Sequence, residues 1–429
     1  MIFTSLNFLL FFPTLVLLFY LTPIKWRSLL LLVASILFYL NLSPVYLLLL
    51  LGVGIATYSF TKAIANTKNE KKKYTFLMTN VILILLPLFF FKYFGAINNY
   101  CFSMLSQNGL HWPLPELKFL LPVGISFYTF VAIGYTIDVY NEEVEVEKDF
   151  GIVMLFISFF PLILSGPIER AGNMLPQFKN LKPISFDNIT AGLKLMLWGY
   201  FMKLVVADRL GMYIDSVYNN IDNHNGSTLL LTTALYPFQV YTDLGGYSLI
   251  AIGTAKALGL EVMQNFRRPF FATSMADLWR RWHISLITWL TDYLYTPMAF
   301  HFRKYKMKGI MLALILTFLI SGIWHGAALT FIFWGFMQGF YLCIELLTQK
   351  RRTTWEQKHN LNNNMFYLVA CMILTYILFS ASQIFGRAPD LKTAFSVFRK
   401  IFSERGNLFL DITTLSFAFW INSQTQLLS

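Results

Sequence analysis

The sequence predicts an all-α polytopic membrane protein, and three observations predict it. Of the 429 residues 56% are hydrophobic, 17% aromatic and 13% charged, whereas a soluble domain carries about 25% charged residues to cover its surface. Asp, Glu, Lys and Arg are absent from 1–24, between Arg27 and Lys62, between Lys308 and Glu345, and between Lys358 and Arg387. Each run equals or exceeds the roughly 20 helical residues that cross a hydrocarbon layer. Third, cations gather in short loops between apolar runs: Lys62, Lys68, Lys71, Lys72 and Lys73, then Arg303, Lys304, Lys306 and Lys308, then Lys350, Arg351, Arg352 and Lys358. Short basic loops mark the cytoplasmic side of a membrane protein. The net charge of +12 therefore describes topology and argues against a nucleic-acid partner.

In chain order, spans are expected at about 5–22, 28–42, 44–61 and 75–95. The first lacks a basic leader and a small-residue cleavage pattern, so it reads as a retained span, not a signal peptide. With Lys25, Arg27 and the 62–73 loop inside, the N-terminus is expected on the extracytoplasmic side. Residues 96–116 are rich in turn formers and read as a loop. The stretch 117–140 is apolar but broken by Pro122, Gly124 and Gly134, and such backbone survives at membrane depth only against protein or a water-filled cavity. Glu142, Glu143, Glu145, Glu147 and Asp149 read as a solvated loop. Further spans are expected at about 150–165, 190–206 and 228–259, then about three crossings in 309–347 and 365–386, giving roughly ten to twelve membrane segments, some re-entrant. The whole chain, 1–429, is expected to form one integral-membrane domain, with N-terminal spans in 1–116, a motif-bearing core in 117–347 and C-terminal spans in 348–429. Cys101, Cys343 and Cys371 are scattered and imply neither a disulfide framework nor a metal site.

Three places carry side chains that chemistry could use. His325 is the only ionisable group in a long uncharged run, within Ser321-Gly322-Ile323-Trp324-His325-Gly326. An ionisable group inside a membrane segment is costly and marks a functional path or site. The alternative is a neutral core histidine bonded to a carbonyl, and the flanking glycines suit either a slender acyl chain or plain helix packing. The second place is Asp277-Leu278-Trp279-Arg280-Arg281-Trp282-His283-Ile284-Ser285. On one helix Trp279, Trp282, Leu286, Trp289 and Tyr293 would form an aromatic stripe beside a polar one. That pattern suits an interfacial helix or a tunnel wall, and paired arginines would suit the phosphates of a carrier such as coenzyme A. Third, Asp243 stands in an apolar stretch and needs a partner, for which Arg280, Arg281 or a histidine are the expected candidates. No nucleotide-binding loop, dinucleotide fingerprint, metalloprotease motif or nucleophile elbow is present.

The run Leu278 to Leu286, with Trp289, Asp292-Tyr293-Leu294-Tyr295 and Pro297, closely resembles the signature of the membrane-bound O-acyltransferases. Ser321 to Ala327 followed by Trp334-Gly335 resembles the second signature, and 121–127, 165–170, 243–248 and 265–269 agree in order. The wording Arg-Arg-Trp-His is nearer to the bacterial alginate O-acetyltransferase branch than to the D-alanyl transferases. The resemblance implies a helical bundle around a central tunnel in the bacterial inner membrane. It implies transfer of an acetyl group from a cytoplasmic thioester, acetyl-CoA, toward an extracytoplasmic polysaccharide such as alginate or another exopolysaccharide, without a permanently bound cofactor. It implies an SGNH-type acetyltransferase partner, His325 as the catalytic histidine and His283 as the second polar position. Trp282, Ser285 and Asp243 are expected to support them, Trp324, Ser321 or Tyr293 to donate to an oxyanion, and Arg280 and Arg281 to hold the donor's phosphates. Burial is expected to keep His325 neutral, so that it serves as general base.

Departures from the branch are Thr291 before Asp-Tyr, Leu249 after Gly-Tyr-Ser, and Ala299-Phe300 in place of glycines. After Arg387 only the weak apolar run 407–420 remains, where the branch is expected to have further spans. A D-alanyl transferase, or a proton-coupled transporter or flippase relaying through His325, Asp243 and Glu169, are the competing readings.

Overall fold

The computed structural model describes residues 1–42, 44–109, 113–114, 121–404 and 406, and among them no strand occurs. His111 and the 407–420 run lie outside the described residues. Among the described residues seven helices are long and apolar enough to cross a membrane: Ile24–Leu42, Pro44–Ala65, Glu70–Gln107, Phe186–Tyr218, Arg303–His325, Leu329–Lys358 and Met365–Arg387. Three shorter apolar helices, Leu6–Leu21, Ile125–Tyr140 and Phe150–Ile163, accompany them. The all-α polytopic expectation holds.

One expected loop is helix. Residues 96–107 continue the Glu70–Gln107 span through a π-turn at Phe90–Phe94, with Asn98 buried. The chain folds into two compact units, one made of Met1–Trp198 with Tyr247–Gln264, the other of Gly199–Gly246 with Asn265 onward.

In the first unit, Arg27 is not a loop cation. It lies in the opening turns of Ile24–Leu42, 6% exposed. Its guanidinium donates to the carbonyls of Thr22, Lys182 and Tyr20 and stacks over the rings of Phe19 and Tyr20. A buried charge is tolerable only with such saturation. Gly124, at φ +76°, begins the Ile125–Tyr140 helix, and a Cβ there would collide with the Ile163 carbonyl, which makes glycine obligatory. The acidic run is tied down: Lys73 pairs with Glu142 at 3.0 Å, and buried Glu147 pairs with Lys179 at 2.6 Å. Glu147 thus departs from the solvated loop expected of it. Glu169, also buried, accepts from the main-chain N–H groups of Met263 and Arg170 and from Asn173. Burial raises its pKa above the ordinary value, against the pull of those donors.

The second unit is organised by an antiparallel hairpin of Arg303–His325 and Leu329–Lys358. At the hairpin's closed end the two backbones touch. A Cβ on Gly322 would collide with the Phe331 carbonyl, and one on Gly335 with the Phe318 carbonyl. Small residues at the crossing allow this approach, the usual device where lipid offers no hydrophobic drive for association. Met365–Arg387 packs alongside, with Gln338 donating to Ser382 at 2.7 Å between fully buried side chains.

Candidate active site

The Met275–Arg281 helix begins with a satisfied N-terminus. Ser274 Oγ accepts from the Asp277 N–H, and the Glu345 carboxylate accepts from the Ala276 N–H. One face of this helix carries Asp277, Arg280 and Arg281, the opposite face Trp279, with Trp282 just beyond its end. The two faces serve different voids. Asp277, Arg280 and Arg281 line a cleft of about 720 Å³ together with Glu345, Arg352 and Glu356. Trp279 and Trp282 line a smaller cavity of about 130 Å³ that also receives His283 and His325.

The one helix expected to carry Trp279, Trp282, Leu286, Trp289 and Tyr293 is broken at His283. This residue adopts a left-handed conformation, φ +45° and ψ 50°, between Met275–Arg281 and Ile284–Leu290. For a non-glycine residue that costs on the order of 1–3 kcal/mol and persists only where the surroundings enforce it. The surroundings are the segment after Asn265. The Arg267 N–H donates to the Arg281 carbonyl at 2.9 Å and the Ile284 N–H to the Asn265 carbonyl at 2.8 Å. Asn265 Oδ1 meets His283 Nδ1 at 3.1 Å, Ser285 Oγ at 2.9 Å and the Ser285 N–H at 3.3 Å. His283 is 3% exposed, and burial pushes its pKa down to about 4, which keeps the ring neutral. Phe266 packs on Trp282 at 5.3 Å, and Trp282 on Phe379 at 4.9 Å.

His325 differs from expectation in its setting. The uncharged run folds as the hairpin, and His325 is the last residue of its first helix, exposed at the turn and not buried mid-span. Burial therefore does not account for its chemistry. Aromatic rings fix it instead: Trp334 stands edge-on at 5.0 Å, Trp324 at 4.8 Å, and Phe331 lies nearly parallel at 6.4 Å. The adjacent glycines serve helix packing, with Gly322 against Phe331 and Gly326 against the Phe331 ring.

Of the residues expected at the site, His283, His325 and Trp282 share the cavity, and Ser285 reaches it through Asn265. Trp324, Ser321 and Tyr293 are not among its lining residues. Ser321 is buried one turn before His325, and Tyr293 lies in the π-turn Thr291–Tyr295 with its ring 5.0 Å from Trp289. Among the described residues Asp243 pairs with a lysine and not with the arginine or histidine expected. The π-turn Phe201–Ala207 presents Lys203, whose Nζ lies 2.7 Å from both Asp243 and Asp208. Arg281 and Arg280 are instead held by Asp277, at 3.0 and 3.7 Å, and Arg280 keeps 72% of its side chain exposed.

Sequence reasoning gave no role to Asn265, Tyr236, Phe331, Trp334 or Gln383. Tyr236, Val240 and Leu244 enter the cavity at helical steps of four, a periodicity visible in the chain but indistinguishable from ordinary packing. Asn265 stands in the 265–269 run that agrees with the family's order, but nothing along the chain gave it His283 and Ser285 as partners.

A model of the membrane-bound O-acyltransferase family matches residues 149–383. The chain is 32% identical over 409 residues to the probable alginate O-acetylase AlgI of Pseudomonas aeruginosa, covering 94% of this chain and 75% of that protein. It is 30% identical over 397 residues to the peptidoglycan O-acetyltransferase of Helicobacter pylori, covering 86% and 72%. With the teichoic acid D-alanyltransferase of Bacillus subtilis it shares 26% over 304 residues, covering 69% and 73%. Among the alginate O-acetylase relatives the matched region spans 66 to 75% of their length.

Proposed function

The chain belongs to the membrane-bound O-acyltransferase family, and from that premise we propose that it moves an acetyl group from acetyl-CoA on the cytoplasmic side across the membrane for O-acetylation of an extracytoplasmic polysaccharide. The observation that carries this reading is that His283 and His325, from the two family signatures, line one cavity although they come from different elements. Higher identity to the two acetylating relatives than to the D-alanyl one favours acetyl as the group moved.

The basic segments at the start of Arg303–His325 and the end of Leu329–Lys358 support a reading with those helix ends inside. His325, at the other end of its helix, then lies toward the outer face, about 30 Å away at 1.5 Å per residue. The cleft with Arg280, Arg281 and Arg352 sits at the inner end, where it can receive the donor's phosphates. Asp277, Glu345 and Glu356 balance these cations, so the exposed Arg280 is the guanidinium most available to a phosphate.

In the transfer, the acceptor oxygen attacks the thioester carbon while His325 takes the hydroxyl proton. The C–S bond then breaks, and the proton returns to the thiolate. Trp279, Trp282, Phe331 and Trp334 give the cavity an aromatic lining beside the two histidines. Delivery to the polymer by an SGNH-type partner outside the membrane, and a cell-membrane location, belong to the same reading. The test is radiolabelled acetyl-CoA supplied, with the acceptor polysaccharide and the SGNH-type partner, to membranes containing wild-type protein or His325→Ala at equal abundance. Label should reach polysaccharide only with wild type, and undiminished transfer by the variant would overturn the reading.

A further inference from the structure

We infer that Asn265 is a positioning residue that fixes His283 as the Nδ1-protonated tautomer, leaving the Nε2 lone pair to accept a hydrogen bond within the cavity. The Ser285 N–H can only donate, and it lies 3.3 Å from the Asn265 side-chain atom that also meets Ser285 Oγ at 2.9 Å. That atom is therefore the amide oxygen. The same oxygen lies 3.1 Å from His283 Nδ1. Two acceptors facing each other would repel, so Nδ1 carries the hydrogen.

A neutral imidazole holds one N–H. With that hydrogen committed to Asn265, Nε2 is an acceptor. His283 lines the cavity shared with His325, so it can receive the O–H or N–H of a bound substrate and cannot donate to a developing oxyanion. The neighbouring geometry enforces this choice twice. The left-handed backbone at His283 sets the ring's direction, and the bond from the Ile284 N–H to the Asn265 carbonyl holds the two segments in register. Asn265 is 1% exposed, Ser285 fully buried, so water cannot replace the amide. Outer partners of this kind are how proteins select the working nitrogen of a histidine.

The catalytic meaning of this tautomer rests on the acyl-transfer reading, whereas the tautomer itself does not. The test uses the full chain in liposomes, labelled with ¹⁵N-histidine, and reads the ring nitrogens by solid-state NMR, with His283→Gln identifying the signal. The wild type should show a protonated Nδ1 and an unprotonated Nε2 at His283. Asn265→Asp keeps an acceptor for all three donors and should keep that pattern. Asn265→Ala should lose it, with kcat for acetyl transfer from acetyl-CoA reduced at least about tenfold and KM for acetyl-CoA little changed. A wild-type spectrum with Nε2 protonated, or an Asn265→Ala protein with the wild-type pattern, would overturn the inference. The expected spectra in a protein that transfers no acetyl group would uphold the tautomer and sink the acetyl-CoA reading instead.

Discussion

The His325 imidazole stands edge-on to the Trp334 indole, ring centroids 5.0 Å apart and planes at 84°. The two residues belong to successive helices of one hairpin, and the turn between them is three residues long. An exposed histidine at a helix end has several rotamers available, and the indole face limits them. Trp334→Phe, which preserves an aromatic face, should retain most acetyl transfer. Trp334→Ala removes the wall of a cavity and should reduce transfer severely, while destabilising the protein by about 3–5 kcal/mol. Comparison of kcat and thermal unfolding in detergent for the two variants decides whether the ring acts by placing His325 or only by filling space.

Replacement of the histidines should separate their roles. A positioned general base contributes about 10²–10⁴-fold, so His325→Ala is expected to lose at least a hundredfold in acetylated product at equal membrane abundance. His283→Ala should lose less. If His283→Ala turned over like wild type, this residue would be reduced to a structural corner between two helices.

Gly335 offers a stability prediction that is independent of chemistry. Its Cβ position is already taken by the Phe318 carbonyl, and Gly322 faces it across the crossing. Gly335→Val should force the hairpin apart, lowering the unfolding temperature and the yield of folded protein, at a cost of about 1–3 kcal/mol or more. A variant as stable as wild type would show that the helices can separate there without penalty.

Lys203 holds Asp208 and Asp243 at 2.7 Å each, with 15%, 44% and 36% of the respective side chains exposed. Removing the cation leaves two uncompensated carboxylates near each other, Asp208 in the Phe186–Tyr218 span and Asp243 in the Gly226–Ala257 helix. Lys203→Met should therefore be less stable than the triple variant in which both aspartates also become Asn. Equal unfolding temperatures for the two would show that the charges are fully solvated and contribute little.

Much of this molecule is written along the chain. Uncharged runs longer than the membrane is thick must be helices, because lipid cannot satisfy a bare backbone, and the basic clusters sit at the ends of those helices. The two histidine-bearing signatures were likewise legible, since each is a contiguous string of residues. The sequence could not say that the lone histidine of the long run lies at a hairpin turn, because an uninterrupted apolar run carries no mark of where a helix ends. Nor could it choose a partner for Asp243: a π-turn shifts the register of the preceding helix and so aims Lys203 at it. The break at His283 was hidden for the same reason. Its cause is Asn265, which acts through three-dimensional contact from another segment. Local pattern thus determined the spans and the candidate histidines. Tertiary structure alone decided which side chains meet, because hydrogen bonds between distant segments leave no periodicity in a sequence.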